Sequence, residues 1–218
     1  MQLRSLFLPI AATSRRDLVE RIVQLLVGLF LYGVALGLMV HGGIGVAPWD
    51  VLALGVAGQT GIGYGAVTVL VSILVLVLWI PLRQRVGLGT LLNALLVGPS
   101  ADLALALIPE PPSVWVGASM FVAGLVLLAF ATGLYIAADF GPGPRDGLMT
   151  GLVRRTGWPV WLVRTLIEGS VLAIGFLLGG PVGVGTVLFA FGVGPLVGWF
   201  LPWTTRLRQT RSRQLARA

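Results

Sequence analysis

The sequence predicts an all-α integral membrane protein in which six transmembrane helices form two inverted three-span repeats. Three observations support this prediction. The chain has long continuous apolar runs, and its arginines occur in alternate segments between those runs. Motifs of the first half recur in the second half, 96 residues further along. A short broken or re-entrant helix is predicted after the first span of each repeat.

The composition is too apolar for a water-soluble fold. Hydrophobic residues make up 56% of the 218 residues, charged residues make up 11%, and the mean hydropathy is +0.95. Soluble domains carry about 25% charged residues. The chain is long enough for about six helical spans of about 20 residues each. Its apolar runs lack the alternation of polar and apolar residues that a transmembrane barrel requires.

The arginines predict the topology of these spans. They lie in both tails and in every even-numbered loop, and they are missing from every odd-numbered loop. Because arginine accumulates on the cytoplasmic side of membrane proteins, both termini are predicted to be cytoplasmic. The basic tails favour contact with the lipid bilayer, and nucleic-acid binding is not predicted. The six spans are predicted at 22–41, 64–80, 88–108, 114–138, 160–178 and 184–203.

An internal repeat divides the chain. The run at 86–99 matches the run at 182–195 without a gap, and the Pro-x-Asp motif at 48–50 recurs at 144–146. Because each unit holds three spans, an odd number, the second unit enters the membrane from the opposite side. The predicted divisions are a cytoplasmic N-terminal tail (1–21), transmembrane repeat 1 (22–108), inverted transmembrane repeat 2 (114–203) and a basic cytoplasmic C-terminal tail (204–218).

The two Pro-x-Asp motifs are predicted to begin short helices. Proline is favoured at the first helical position, and a carboxylate two residues later complements the positive end of the helix. The segment 48–58 is about 16 Å long as a helix, which is too short to cross an apolar core of about 30 Å. The motifs either only cap these helices or line a solute site where the two helix starts face each other. The candidate residues are Pro48, Trp49, Asp50, Pro144, Arg145 and Asp146.

Four further polar residues fall within or at the ends of predicted spans, where charge is costly. Arg164 and Glu168 lie one turn apart on the fifth span. In one interpretation they form an ion pair that stabilises packing. In the other, Glu168 exchanges protons or binds a cation, and Arg164 modulates it. Asn93 bonds either a substrate or a neighbouring helix. Asp102 is either a buried proton site or a residue near the outer boundary.

Three stretches resemble one known family. They are G-x-x-P-W-D at 45–50, V-G-L-G-T-L-L-N-A-L-L-V-G-P at 86–99 and G-P-G-P-R-D-G-L at 141–148. Together they are similar to the YczE/YitT-type bacterial integral membrane proteins over about residues 20–203. The resemblance implies a transporter-like protein of the bacterial cytoplasmic (inner) membrane, without an assigned substrate. Arg145 stands where the first motif has Trp49, so the second motif departs from the family's P-W-D form.

These features favour a secondary transporter or permease for a small solute or ion, with its site between the two Pro-x-Asp half-helices. The alternative is a non-transporting accessory or assembly subunit of a membrane complex or secretion pathway. A homo-oligomer or a partner membrane subunit is compatible with both interpretations.

An intramembrane enzyme is the minor alternative, because only Asp50 and His41 offer a nucleophile and a base. No enzymatic activity, cofactor or metal site is expected. The chain has no cysteine and one histidine, and it contains no nucleotide-binding or metalloprotease motif.

Reporter fusions test the predicted topology. A reporter fused after Ala218 should lie in the cytoplasm, and one inserted after Thr60 should lie outside, because the segment around Thr60 contains no arginine. Alkaline phosphatase, which is active only outside the cytoplasm, should be active at Thr60 alone. Cytoplasmic signals at both positions would exclude the six-span arrangement.

Overall fold

Helices make up most of the chain that the structure describes. The computed structural model describes residues 14–215, with side chains for 14–207; residues 1–13 and 216–218 of the two predicted tails lie outside this range. The helices are α1 (Arg15–His41), α2 (Pro48–Thr60), α3 (Tyr64–Leu82), α4 (Leu88–Leu107), α5 (Val114–Ala137), α6 (Pro144–Thr156), α7 (Val160–Leu177) and α8 (Val184–Leu215). All except α2 and α6 are long and apolar enough to cross a membrane. The chain is therefore an all-helical, multi-pass membrane protein.

The six long helices agree closely with the predicted spans except at the ends of the chain. Helix α1 begins at Arg15, inside the predicted tail, because the Ser14 hydroxyl accepts a hydrogen bond from the backbone N–H of Asp17 (3.2 Å) and caps the first turn. Helix α8 continues to Leu215. The residues beyond its apolar part, 208–215, are rich in arginine and glutamine, which favour helix.

The short helices α2 and α6 begin at Pro48 and Pro144, where the sequence predicts helix starts. Each has 13 residues and ends at a glycine in the left-handed conformation, Gly61 and Gly157, both with φ of 73°. At 1.5 Å per residue each helix is about 20 Å long. Neither helix reaches the thickness of the hydrocarbon core.

The two halves of the chain share one backbone pattern. Helices α6, α7 and α8 begin 96 residues after α2, α3 and α4, and α5 ends 96 residues after α1. The described residues with positive φ also form pairs at this spacing, including the two non-glycine residues Arg83 and Asp139. These pairs are Gly43 with Asp139, Gly45 with Gly141, Gly61 with Gly157, and Arg83 with Gly179.

Helices α1 and α5 pack along each other at the centre, and each also packs against the last helix of its own half, α4 or α8. Glycines allow the central pair to approach closely. A Cβ added at Gly28 would lie 2.9 Å from the backbone nitrogen of Tyr135, and one added at Gly124 would lie 2.8 Å from the carbonyl oxygen of Ala35. The short helices cross between the halves, because α2 packs on α7 and α6 packs on α3.

One interface differs between the halves. Helices α3 and α4 pack closely, so that a Cβ added at Gly98 would overlap the carbonyl oxygen of Gly65. The Asp102 carboxylate accepts the Gly65 N–H at 2.7 Å and satisfies a free donor at the start of α3. In the second half, Trp161 occupies the position of Gly65, and a Cβ added at Gly194 would meet nothing within 4 Å. Among the described residues, packing comparable to that of α3 on α4 does not join α7 to α8.

Alanine substitution at these two equivalent glycines should have opposite effects on stability. Gly98→Ala forces a side chain against the backbone of Gly65 and should lower the free energy of unfolding by about 1–3 kcal/mol. Gly194→Ala should be neutral or slightly stabilising, because the site is open and alanine favours helix. Thermal unfolding followed by intrinsic fluorescence of the seven tryptophans measures both; equal losses would contradict the difference in packing.

Candidate functional site

A cavity of ≈ 270 Å³ lies at the centre of the protein, and all eight described helices contribute to its wall. Its wall is mainly apolar, with a small number of polar and charged side chains, which is typical of sites for small molecules. The volume is close to the lower end of the range for such sites, about 300–1,000 Å³. The polar side chains form three groups.

The first group joins the starts of α2 and α6. In the Arg145 guanidinium, Nη2 lies 3.7 Å from Asp50 Oδ1. The central guanidinium carbon, Cζ, lies 5.1 Å from the centre of the Trp49 ring. Tyr64 donates its hydroxyl proton to the same carboxylate oxygen at 3.0 Å. Asp50 is only 1% exposed, so Arg145 and Tyr64 supply the stabilisation that water cannot give to this carboxylate. Trp49 and Arg145 form part of the wall, with Asp50 behind them.

The second group lies beside it on α5 and α6. The Tyr135 hydroxyl donates to Asp146 Oδ2 at 2.7 Å, and both residues line the cavity. The Tyr135 ring meets the ring of Tyr32 edge to face, with centroids 6.1 Å apart. Asn93 of α4 also lines the cavity. This side of the wall therefore offers carboxylate, hydroxyl and amide groups to a polar solute.

The third group is the ion pair of α7. Arg164 Nε donates to Glu168 Oε1 at 2.9 Å, and both side chains form part of the cavity wall. Their side chains are 41% and 25% exposed, respectively. The pair is accessible from the cavity, so its charged atoms can contact a solute as well as each other.

The structure gathers most of the residues that the sequence singled out. Pro48 begins α2 outside the wall, and Asp50 lies directly behind the wall. Asp102 is not part of the wall, because it is bound to the start of α3. His41 is also outside the wall, with Nε2 3.1 Å from the carbonyl oxygen of Leu105. The predicted site residues that line the cavity are Trp49, Asn93, Pro144, Arg145, Asp146, Arg164 and Glu168.

Sequence reasoning missed the tyrosines. The chain contains three, and all of them serve this site: Tyr64 binds Asp50, Tyr135 binds Asp146, and Tyr32 lines the cavity. A buried tyrosine hydroxyl generally requires a partner. Three tyrosines within otherwise apolar spans were therefore a usable signal for a polar centre.

The charged groups of the wall come from the second half of the chain. Arg145, Asp146, Arg164 and Glu168 give it two positive and two negative groups, whereas the first half contributes neutral side chains such as Trp49. A wall with both signs of charge suits a solute that carries hydrogen-bond donors and acceptors, or both charges.

Removing the arginine at the junction should destabilise the protein. Arg145→Ala leaves Asp50 buried without its cationic partner, which should cost about 3–5 kcal/mol of unfolding free energy. Adding Asp50→Asn should recover most of the loss, because the buried charge is then removed. Arg155→Ala, at an exposed position on the same helix, is the matched control. Thermal unfolding of the four proteins tests this, and an unchanged Arg145→Ala variant would show that the contact contributes little.

Comparison with known proteins places the chain in a family. The chain is 40% identical to an uncharacterized protein of Haemophilus influenzae over 84% of each chain. It is 30% identical to the uncharacterized membrane protein YczE of Bacillus subtilis over 88% of this chain and 91% of the relative. It is 27% identical to the uncharacterized protein YyaS of the same organism, over 86% and 96% of the two chains.

No solved structure matches the chain. The profile of a family of unknown function, DUF6198, matches residues 19–202, which is most of the chain. The match covers α2 to α7 completely, most of α1, the first part of α8 and every residue of the cavity wall. Together with the likeness to YczE, which confirms the resemblance seen in the sequence motifs, it shows that this polytopic membrane protein belongs to the DUF6198 family.

Proposed function

We propose that the chain is a secondary transporter that binds a small polar solute in the central cavity. In this proposal it consists of two inverted repeats in the bacterial cytoplasmic membrane, both termini are cytoplasmic, and no covalent chemistry takes place. The observation that supports it most strongly is the composition of the cavity wall, which draws on equivalent positions of the two halves. Transporters with inverted repeats bind their substrates at such an interface between repeats.

Seven pairs of wall residues lie 96 positions apart, which supports a site on the axis that relates the repeats. One of these pairs, Trp49 and Arg145, is in direct contact. A residue that touches its own counterpart must lie close to a two-fold axis. The seven pairs are Tyr32 with Leu128, Ala47 with Gly143, Trp49 with Arg145, Thr68 with Arg164, Ser72 with Glu168, Asn93 with Phe189, and Val97 with Val193.

Reciprocal hydrogen bonds support the same relation between the halves. The Gly89 N–H binds the carbonyl oxygen of Phe140 at 2.9 Å, and the Gly185 N–H binds that of Ile44 at 2.8 Å. Each bond becomes the other when every residue is exchanged for its counterpart 96 positions away. Such an exchange is expected of two units related by a two-fold axis. With three spans per unit, that axis lies in the membrane plane.

The short helices support a binding role for their starts. The residues that precede α2 and α6, Ala47 and Gly143, both line the cavity. The positive ends of two helices therefore meet at the cavity, as in the broken helices that bind substrate in other inverted-repeat transporters. Both helices are too short to span the hydrocarbon core, so we interpret them as re-entrant segments that end within the protein.

The difference between the two halves supports an alternating-access cycle. Helices α3 and α4 are packed together while α7 and α8 are apart, as judged from Gly98 and Gly194. In the proposed cycle the second pair closes as the first opens, which carries the cavity from one side of the membrane to the other. Glu168, which is paired with Arg164 and accessible from the cavity, then couples this change to a proton or cation.

Uptake measurements test the proposal with a matched pair of variants. Solutes that raise the unfolding temperature of the purified protein are first identified, and their uptake into proteoliposomes is then measured. Glu168→Gln should abolish coupled uptake without loss of folding, because the glutamine is neutral and close in shape. Glu110→Gln, at an exposed loop position, should retain uptake.

Two outcomes would count against this function. Full uptake in a variant with both Arg164 and Glu168 replaced by apolar residues would remove the pair from the mechanism. Asp146 lies in the cavity wall. If every stabilising solute still raises the unfolding temperature of the Asp146→Asn variant as much as that of the wild type, the cavity is not the binding site.

A further inference from the structure

We propose that the transported solute is amphipathic, with a zwitterionic head and an apolar tail, and that it enters the cavity sideways from the bilayer between α7 and α8. This inference rests on the proposed transport function and specifies its substrate class. It follows from three features of the structure: an opening between these two helices, the continuity of the opening with the cavity, and the chemistry of its edges.

The opening exists because two small contacts of the first half have no equivalent in the second. Gly65 lets α3 approach Gly98 of α4, and Asp102 binds the Gly65 N–H. Trp161 and Gly198 occupy the positions equivalent to Gly65 and Asp102. Trp161 is 68% exposed, so it is not buried in such an interface, and glycine has no carboxylate to bind a neighbouring helix. The part of the chain that the structure describes leaves α7 and α8 without the close packing that seals α3 against α4.

The opening leads into the cavity. Ile167 on α7 and Val193 on α8 both line the cavity. So does Gly194, where an added Cβ would meet nothing within 4 Å. The space beside Gly194 is therefore continuous with the central site, and the wall on this side consists of two helices that do not close on each other.

The edges of the opening combine charge with apolar surface. Arg164 and Glu168 lie within a membrane-spanning helix, yet their side chains are partly exposed. Charged atoms that face hydrocarbon are costly, so an occupant that brings polar atoms to this pair is favoured over a purely apolar one. Ile167, Phe189 and Val197 form the apolar part of the same wall and suit a hydrocarbon tail.

The size and charge of the cavity narrow the solute further. At ≈ 270 Å³ it is at or below the lower limit for drug-sized ligands. It can therefore hold a head group while the tail remains in the opening. Two guanidinium and two carboxylate groups in the wall match a head that carries one anionic and one cationic group. A phospholipid-like molecule with a single acyl chain has this combination.

Photolabelling of the full chain in phosphatidylglycerol nanodiscs tests the inference. The probe is lysophosphatidylethanolamine with a diazirine in its acyl chain, and adducts are mapped by mass spectrometry. Adducts on Ile167 and Val193 are expected in the wild-type protein. Gly194→Trp should fill the opening and reduce them about tenfold, equivalent to about 1.4 kcal/mol of binding free energy. Gly58→Trp, on α2, is equally open but lies outside both the opening and the cavity wall, and it should leave them unchanged.

Two results would overturn the inference without depending on how the tryptophan variants fold. One is the lack of adducts on both residues in the wild-type protein. The other is a disulfide-linked dimer of Trp161→Cys that forms in the membrane on oxidation, because a second copy would then cover the opening. The chain has no natural cysteine, so any such link must involve the introduced residue.

A soluble head group distinguishes failure of this inference from failure of the transport function. Ser72 lines the cavity, and Ser72→Cys gives a unique thiol that reacts with maleimide. Protection of this thiol from maleimide by glycerophosphoethanolamine is compared in the Ser72→Cys protein and in the same protein with Gly194→Trp added. If protection is equal in both and the lipid probe does not label the cavity, the site binds solutes but the proposed lateral entry is wrong. If neither molecule reaches the cavity, the transport function fails as well.

Discussion

The structure depends on the requirement that every backbone polar group within the hydrocarbon core find a partner inside the protein. The two short helices, α2 and α6, and the non-helical segments before them interrupt the regular hydrogen bonding of the long helices. One carbonyl in the segment before each short helix is bound by the other half of the chain: Gly185 of α8 donates to the carbonyl of Ile44, and Gly89 of α4 donates to that of Phe140. These two hydrogen bonds join the halves, because each links a donor in one half to an acceptor in the other.

This constraint also explains why charge collects at the centre. The segments that cross between the halves bring the starts of α2 and α6 together, and the polar residues of both motifs arrive with them. Asp50 is held by Arg145 and Tyr64, and Asp146 is held by Tyr135. A polar centre surrounded by apolar helices is stable because each of these carboxylates has a specific partner.

Much of the fold could be predicted from the sequence, because the signals are local. Apolar runs gave the spans, and Pro48 and Pro144 gave the starts of the short helices. Side-chain pairing was harder to predict. The contact of Arg145 with Asp50 joins residues far apart in sequence, and the departure of Arg145 from the first motif gave no sign that it would stack on Trp49. The alternatives for Asp102 did not include a bond to the start of α3, because that bond depends on how closely two helices approach.

The crossing of α2 onto α7 constrains the order in which the protein is completed during synthesis. Helix α2 leaves the ribosome three spans before α7, its packing partner, and Asp50 emerges well before Arg145. Until then the first half has a short apolar helix without its binding surface and a carboxylate without its cation. The docking of α2 on α7 therefore cannot be completed until the second half of the chain has been made.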